Sequence, residues 1–222
     1  MEILKKLNIE WTNIDLFKKA FTHTSYANEN AVSSYERLEY LGDAVLDLIM
    51  TDYLYHKYPE EEEGNLTKMR ANLVCENALY EYSIELGLNE YIFLGKGEEE
   101  HGGKYRKAIV ADVFESFIGA LYLDKGFKYT KRFMETNVFP IIEKSDHDFF
   151  VDYKSLLQEQ IQTDKRSLEY ELIEEEGPAH DKFFTIIVKI DDIKYGKGSA
   201  KSKKEAERLA AKDALNKSVR SK

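Results

Sequence analysis

A single cysteine, Cys75, stands in 222 residues, so no disulfide can form within the chain. That scarcity fits a reducing, intracellular compartment, and a cytoplasmic location is expected. No run of 18 apolar residues occurs, so no membrane-spanning helix and no membrane partner are expected. The N-terminal stretch MEILKKLNIEWTN lacks a long apolar core and a small-residue cleavage site, and does not read as a signal peptide. There is no cysteine–histidine cluster of zinc type. There is no P-loop and no glycine-rich dinucleotide turn after a strand, which argues against nucleotide-driven chemistry. The histidines are scattered, and a lone one such as His56 suits a surface or core role better than a ligand's. No Ser-His-Asp arrangement can be read from residue order, and no repeat or low-complexity segment appears.

What is present is unevenly spread. The formal net charge is −9, which as one number argues mildly against a nucleic-acid partner. Up to Val151 the chain holds 17 Lys+Arg against 27 Asp+Glu; from Asp152 on it holds 15 against 14. Within that second part, Lys194 to Lys222 carries 10 basic and 3 acidic residues. An acidic first part and a locally basic tail suggest two functions on one chain.

Texture divides the chain at the same place. Apolar residues recur at three and four in DLFKKAFTH, in YERLEYLGDAVLDLIMTDYLYHKY, in NLTKMRANLVCENALYEYSIELG and in RKAIVADVFESFIGALYLDKG, predicting helices. Pro59, Gly87 and Gly126 lie at plausible helix ends. LGKGEEEHGGKYR predicts a mobile loop. Residues 1–145 form an all-α domain, 146–151 a linker and 152–222 a small α+β domain. In the last, DYKSLLQEQIQ predicts a helix, and SLEYELIEEEG, KFFTIIVKID and IKYGKGSA predict three antiparallel strands, the last two joined by a tight turn at Asp191-Asp192. SKKEAERLAAKDALNKS predicts a final helix with Ser202 as N-cap and Glu205 as its capping-box partner, completing an α-β-β-β-α order.

Two helices carry the chemistry. In YERLEYLGDAVLDLI, Glu36, Glu39, Asp43 and Asp47 sit at steps of three, four and four, which at about 100° per residue places them on one side. A solvated acidic face would explain that helix alone. AIVADVFESFIGALYL is different. It is apolar nearly all round and should be buried, yet it carries Asp112 and Glu115 three apart. Buried neighbouring carboxylates need a cation or must stay partly protonated. A salt bridge to Arg37 or Arg70 is the structural alternative. Oxygen ligands alone suit Mg²⁺, with Mn²⁺ a possible substitute, and such sites most often serve phosphoryl transfer.

ERLEYLGDAVL, then EGNLTKMRANLV, then ADVFESFIGALYLD resemble the catalytic domain of ribonuclease III, in family order. The resemblance implies a helical, dimerising, Mg²⁺-dependent endonuclease. It places metal ligands at Glu39, Asp43, Asp112 and Glu115, with Asp43 and Glu115 catalytic, and outer positions of an RNA-handling cleft at Glu36 and Glu63. Asp47 receives no catalytic role from it and reads as a solvated or structural acid. Tyr40 falls where the family has an aromatic knob inserted into the partner subunit; the plain alternative is a core tyrosine. Two positions depart from the family pattern: Tyr35 stands where Asn is common, and Lys107-Ala108 where Glu-Ser is common. Neither replaces a ligand, but the second bears on how the following helix start is held.

SLLQEQ, GPAHDKFF and GKGSAKSKKEAERLAAKDAL resemble the double-stranded-RNA-binding domain. The physical case agrees. A-form RNA shows 2′-hydroxyls in a shallow minor groove and hides its base edges. Ser155, Gln158, Glu159 and Gln162 share one helical face that can meet those hydroxyls. The loop Gly177-Pro178-Ala179-His180 is short and stiff enough to enter a second groove. Lys201, Lys203 and Lys204 cluster at a helix N-terminus, where the dipole also favours phosphate. The expectation is a homodimeric ribonuclease III that hydrolyses both strands of duplex RNA. Its products would carry 5′-phosphates and short 3′ overhangs, and its work would be maturation of ribosomal and messenger RNA precursors. A catalytically silent duplex-binding dimer and a magnesium-dependent hydrolase of small phosphorylated molecules are the rivals.

Overall fold

Helix α8, Lys107–Lys125, shows why the first part of the chain folds as it does. Ile109, Val110, Val113, Phe114, Phe117, Ile118 and Leu121 cover its circumference, and all are buried. Each such side chain contributes about 1.5–3 kcal/mol when fully taken from water. The computed structural model describes residues 1–144, 153–163, 166–178 and 182–219, without the side chains of 162, 163, 218 and 219. The chain forms two compact units, Met1–Phe150 and Val151–Lys222.

In the first unit α8 is the central helix. Around it stand α1 (Glu2–Lys6), α2 (Ile14–Ala20), α3 (Thr24–Asn30), α4 (Glu36–Lys57), α5 (Glu63–Leu73), α6 (Glu76–Leu86), α7 (Lys96–Glu100), α9 (Phe127–Phe133) and α10 (Phe139–Lys144), a π-helical stretch, Met134–Val138, joining the last two. Phe17, Phe21 and Phe133 pack their rings against Phe117 at centroid distances of 5.5–6.1 Å. Ser116, buried, donates its hydroxyl to the Ala20 carbonyl at 2.6 Å and so ties α8 to α2.

The α4–α8 crossing matters most for function. A Cβ on Gly42 would collide with the backbone carbonyl of Glu115, and one on Gly119 with that of Leu38. Glycine on both helices lets the two backbones touch, and this brings α4 carboxylates beside α8 carboxylates.

Two expectations for this unit need correction. The run NLTKMRANLVCENALYEYSIELG is not one helix. It breaks after Leu73, and Cys75 turns extended at φ −73°, ψ 157° as the N-cap of α6. The Tyr82 hydroxyl donates to the Leu73 carbonyl at 3.2 Å, satisfying a helix-end acceptor from outside the helix. Nor is LGKGEEEHGGKYR a loop without regular structure. It contains α7 and a 3₁₀ turn, Gly103–Tyr105, with Arg106 Nη1 at 2.6 Å from Glu98 Oε1.

The second unit follows the expected order: α11 (Tyr153–Thr163), β1 (Leu168–Glu176), β2 (Phe183–Ile190), β3 (Ile193–Ala200) and α12 (Lys203–Val219). The strands pair antiparallel in the order β1-β2-β3, with Glu171 opposite Ile187 and Val188 opposite Gly196. Asp191 and Asp192 both take positive φ, 49° and 64°, the backbone of a tight hairpin turn. Asp191 is pinned by Arg166 Nε at 2.6 Å and by the Ser167 amide at 2.9 Å. Leu157 and Ile161 of α11 and Ala206, Ala210 and Ala214 of α12 bury the sheet face formed by Ile186, Val188 and Ile190. Gly196 and Gly198 leave no room for a Cβ between β3 and α12. The stretch assigned to a linker, 146–151, lies outside the described residues.

Candidate metal centre and RNA-binding face

Glu39 faces α8 because Leu38, Gly42, Val45 and Leu46 dock α4 onto it, turning the 36–39–43–47 side toward the rim of the crossing. Asp112 and Glu115 are the half-buried members of an otherwise buried stretch of α8. Glu39, Asp112 and Glu115 each place a carboxylate oxygen within 4.8 Å of the others'. Asp43, one turn further along α4, is exposed and stands outside that group of three.

The electrostatics follow from that crowding. Burial, then Asp43, Asp112, Glu39 and Asp47, pushes the Glu115 carboxyl up to about 8. Burial, then Asp112, Glu36 and Asp43, pushes Glu39 up to about 7. Asp43, though exposed, is raised by partial desolvation of its carboxylate and by Asp47. Asp112 is raised by burial, against a hydrogen bond from Tyr35 that favours its ionised form. Among the described residues no lysine or arginine makes an ion pair with any of the four. Arg70 instead lies 4.0 Å from Asp47 and donates to the Thr51 hydroxyl at 3.1 Å. Like charges gathered without a cationic side chain are what a bound cation would relieve. An all-oxygen donor set suits a hard divalent ion.

The outer acids stand apart. Glu36 is exposed and accepts from the Ser34 hydroxyl at 2.7 Å. Glu63 opens α5, exposed, and accepts from Thr67 at 3.0 Å. Tyr40 is 83% exposed, which rules out a place in this unit's core. It lines a groove of about 660 Å³ with Leu16, Arg37, Leu41 and Leu123.

One site residue escaped the sequence reading. Tyr35, buried at 3% exposure, donates its hydroxyl to Asp112 Oδ2 at 3.1 Å. Its only signal in the sequence is its departure from asparagine. The other departure also has a visible consequence: Lys107 Nζ donates to Asn77 Oδ1 at 2.7 Å and lies 5.7 Å from the Tyr80 ring, holding the α8 start to α6.

In the second unit Ser155 is half-buried, and Gln158 and Glu159 are exposed on α11. The Gln162 side chain, Ala179 and His180 lie outside the described residues; Pro178 is exposed. Lys201, Lys203 and Lys204 are exposed at the start of α12. Lys203 Nζ stands 3.8 Å from Glu175 Oε2 and 5.4 Å over the Phe184 ring. Ser202 Oγ accepts the Glu205 amide at 3.2 Å, but the Glu205 carboxylate is taken by Arg208, so half of the expected capping box forms.

A family model described as Ribonuclease-III-like matches residues 13–142, and one described as Double-stranded RNA binding motif matches residues 153–218. The chain is 48% identical over 222 residues to a protein of Listeria monocytogenes named Ribonuclease 3, covering 98% of this chain and 97% of that one. Two solved nuclease domains of ribonuclease III from Campylobacter jejuni are similar in fold. One, described for flexibility in its region involved in dimer formation, is 38% identical with a TM-score of 0.57, over 62% of this chain and 96% of that one. The other is 35% identical with a TM-score of 0.60, over 65% and 97%.

Proposed function

Since the chain belongs to the ribonuclease III family, we propose that it is a magnesium-dependent endoribonuclease that cleaves both strands of duplex RNA, leaving 5′-phosphates and short 3′ overhangs. Membership makes the chain a nuclease acting on double-stranded RNA with a divalent-metal requirement. The choice of magnesium, the form of the products and a role in maturing ribosomal and messenger RNA precursors belong to the proposal. One observation carries it: three carboxylate oxygens from α4 and α8 meet within 4.8 Å beside a fourth acid, with no cationic side chain in an ion pair with them among the described residues.

Glu39, Asp112 and Glu115 would hold the cation, with Asp43 flanking it. When bound, it supplies Lewis acidity toward water and toward the oxygens of the phosphodiester. The chain's own residues do the rest. The buried body of α8 keeps Asp112 and Glu115 in a fixed frame. The high proton affinity of Glu115 lets its carboxyl hold a proton near neutral pH until a cation takes its place. Glu36 and Glu63, both exposed, would meet RNA rather than the cation.

The proposal includes a homodimer. α4 carries three faces: one in the core, one acidic, and a stripe of Tyr40, Leu48 and Tyr55 that stays exposed. Large side chains left in water along one helix stripe suit a protein partner. A second copy, with Tyr40 as the inserted knob, fits that stripe. On the second unit, Ser155, Gln158, Glu159 and Gln162 would meet 2′-hydroxyls, residues 178–180 would enter the next groove, and the three lysines would take phosphates between.

The test is Glu115→Gln, which keeps the shape and removes the charge. Cleavage of labelled duplex RNA in Mg²⁺ should fall by orders of magnitude while duplex binding stays near wild type. A variant that cleaves within about tenfold of wild type, ~1.4 kcal/mol of barrier, would sink the metal assignment.

A further inference from the structure

Three carboxylates form the cluster, and they are not held alike. Glu39 and Glu115 make no side-chain hydrogen bond among the described residues. Asp112 makes one, from the Tyr35 hydroxyl to Oδ2 at 3.1 Å, across 77 positions of sequence. Tyr35 is itself fixed from several sides. Its amide donates to the Thr22 carbonyl at 2.9 Å, and its carbonyl accepts from Leu38 and Glu39 at 2.7 and 3.0 Å, opening α4. Its ring lies 5.8 Å from the His23 ring, tilted by 53°. The hydroxyl therefore reaches Asp112 from a part of the fold that α8 does not control. A phenylalanine would fill the same space. The oxygen is explained only by the carboxylate it meets, because a buried hydroxyl without a partner would cost stability.

We propose that Tyr35 is a positioning residue for the cation site: its hydroxyl sets the rotation of the Asp112 carboxylate, so that this ligand enters the site already oriented. The inference rests on the reading of Glu39, Asp112 and Glu115 as cation ligands. Partners behind a ligand of this kind fix its geometry and tune its basicity, and losing one weakens metal affinity by about 10- to 100-fold.

Two variants of the full chain separate positioning from packing. Tyr35→Phe keeps the ring against His23 and removes the oxygen; Tyr35→Leu removes both. Mn²⁺ binding, without RNA, is read from the loss of the free-ion paramagnetic resonance signal, and thermal midpoints are recorded beside it. Tyr35→Phe should bind Mn²⁺ at least about tenfold more weakly than wild type. Its cleavage should need correspondingly more Mg²⁺ to reach half of its maximum, with duplex affinity unchanged, and extra Mg²⁺ should recover most of the lost rate. Tyr35→Leu should match it in Mn²⁺ affinity but also melt lower. If Tyr35→Phe binds Mn²⁺ and responds to Mg²⁺ as wild type does, and only Tyr35→Leu is impaired, the tyrosine is packing and the inference is overturned. If wild type itself takes up no Mn²⁺, the cluster reading fails and the role of Tyr35 goes with it.

Discussion

At the scale of the residue, the carboxylates of Glu39 and Glu115 make the metal-free protein sensitive to pH in an unusual direction. Both have proton affinities raised in the folded chain, to about 7 and about 8, from an ordinary 4.5. Below about 4.5 both groups are protonated folded or unfolded. Between that value and 7 to 8 the folded chain keeps protons that the unfolded chain releases. The stability they lend is thus full at low pH and lost as pH rises through 7 to 8. With a chelator present, the thermal midpoint should fall from pH 6 to pH 9, and should fall less in Glu115→Gln. Adding Mg²⁺ should restore the midpoint strongly at pH 8.5 and weakly at pH 6, because the cation competes with those protons. Equal slopes in wild type and Glu115→Gln would remove Glu115 as the cause. These acids were legible in the sequence because Asp112 and Glu115 interrupt a helix that is otherwise apolar. The Tyr35 hydroxyl bond was not legible. It depends on where two helices cross, and a tyrosine among core residues reads as core until its oxygen is located.

At the scale of the element, the crossing of α4 and α8 is the device that makes a site from two helices. Gly42→Ala would put a methyl group into the Glu115 backbone carbonyl. The helices must separate to admit it, at a cost of about 1–3 kcal/mol. The carboxylates would spread with them, so Mn²⁺ binding should weaken together with the urea midpoint. A stable variant that binds Mn²⁺ as wild type does would show that the site tolerates a wider crossing. Most elements announced themselves by apolar period, and the β2–β3 hairpin by paired aspartates that accept positive φ. The break at Val74-Cys75 did not. No glycine or proline marks it, and the Leu73 carbonyl is satisfied by Tyr82, nine residues on. The α7 stretch was hidden for the opposite reason: its glycines suggested a loop, yet Gly103 packs closely on Leu94 and Glu98.

At the scale of the whole molecule, the proposal asks for two copies and for a grip on RNA outside the acidic unit. Tyr40→Ala should shift the protein toward monomer in sedimentation at micromolar concentration, and its melting midpoint should fall only by what the lost association contributed, since an exposed ring contributes little to its own unit's core. An unchanged dimer would place the interface elsewhere. Changing Lys201, Lys203 and Lys204 together to Ala should weaken duplex binding and make log affinity against log salt shallower by roughly two to three. Lys203 sits near Glu175 in the free chain, so the lower figure is expected. Saturating RNA at low salt should return much of the cleavage rate; normal affinity with an unchanged slope would mean that RNA is gripped elsewhere. The position of those lysines also follows from something more rigid than their own side chains. Gly196 and Gly198 bring β3 into backbone contact with α12, against Ala206, Ala210 and Ala214. Mostly backbone and short alanine side chains meet at the centre of that contact, which leaves little there to compress or to swell. On the proposed reading this module is a fixed gauge: a duplex of the wrong width must change its own shape to fit, so dimension joins the 2′-hydroxyl contacts in favouring RNA over DNA, before any letter is read.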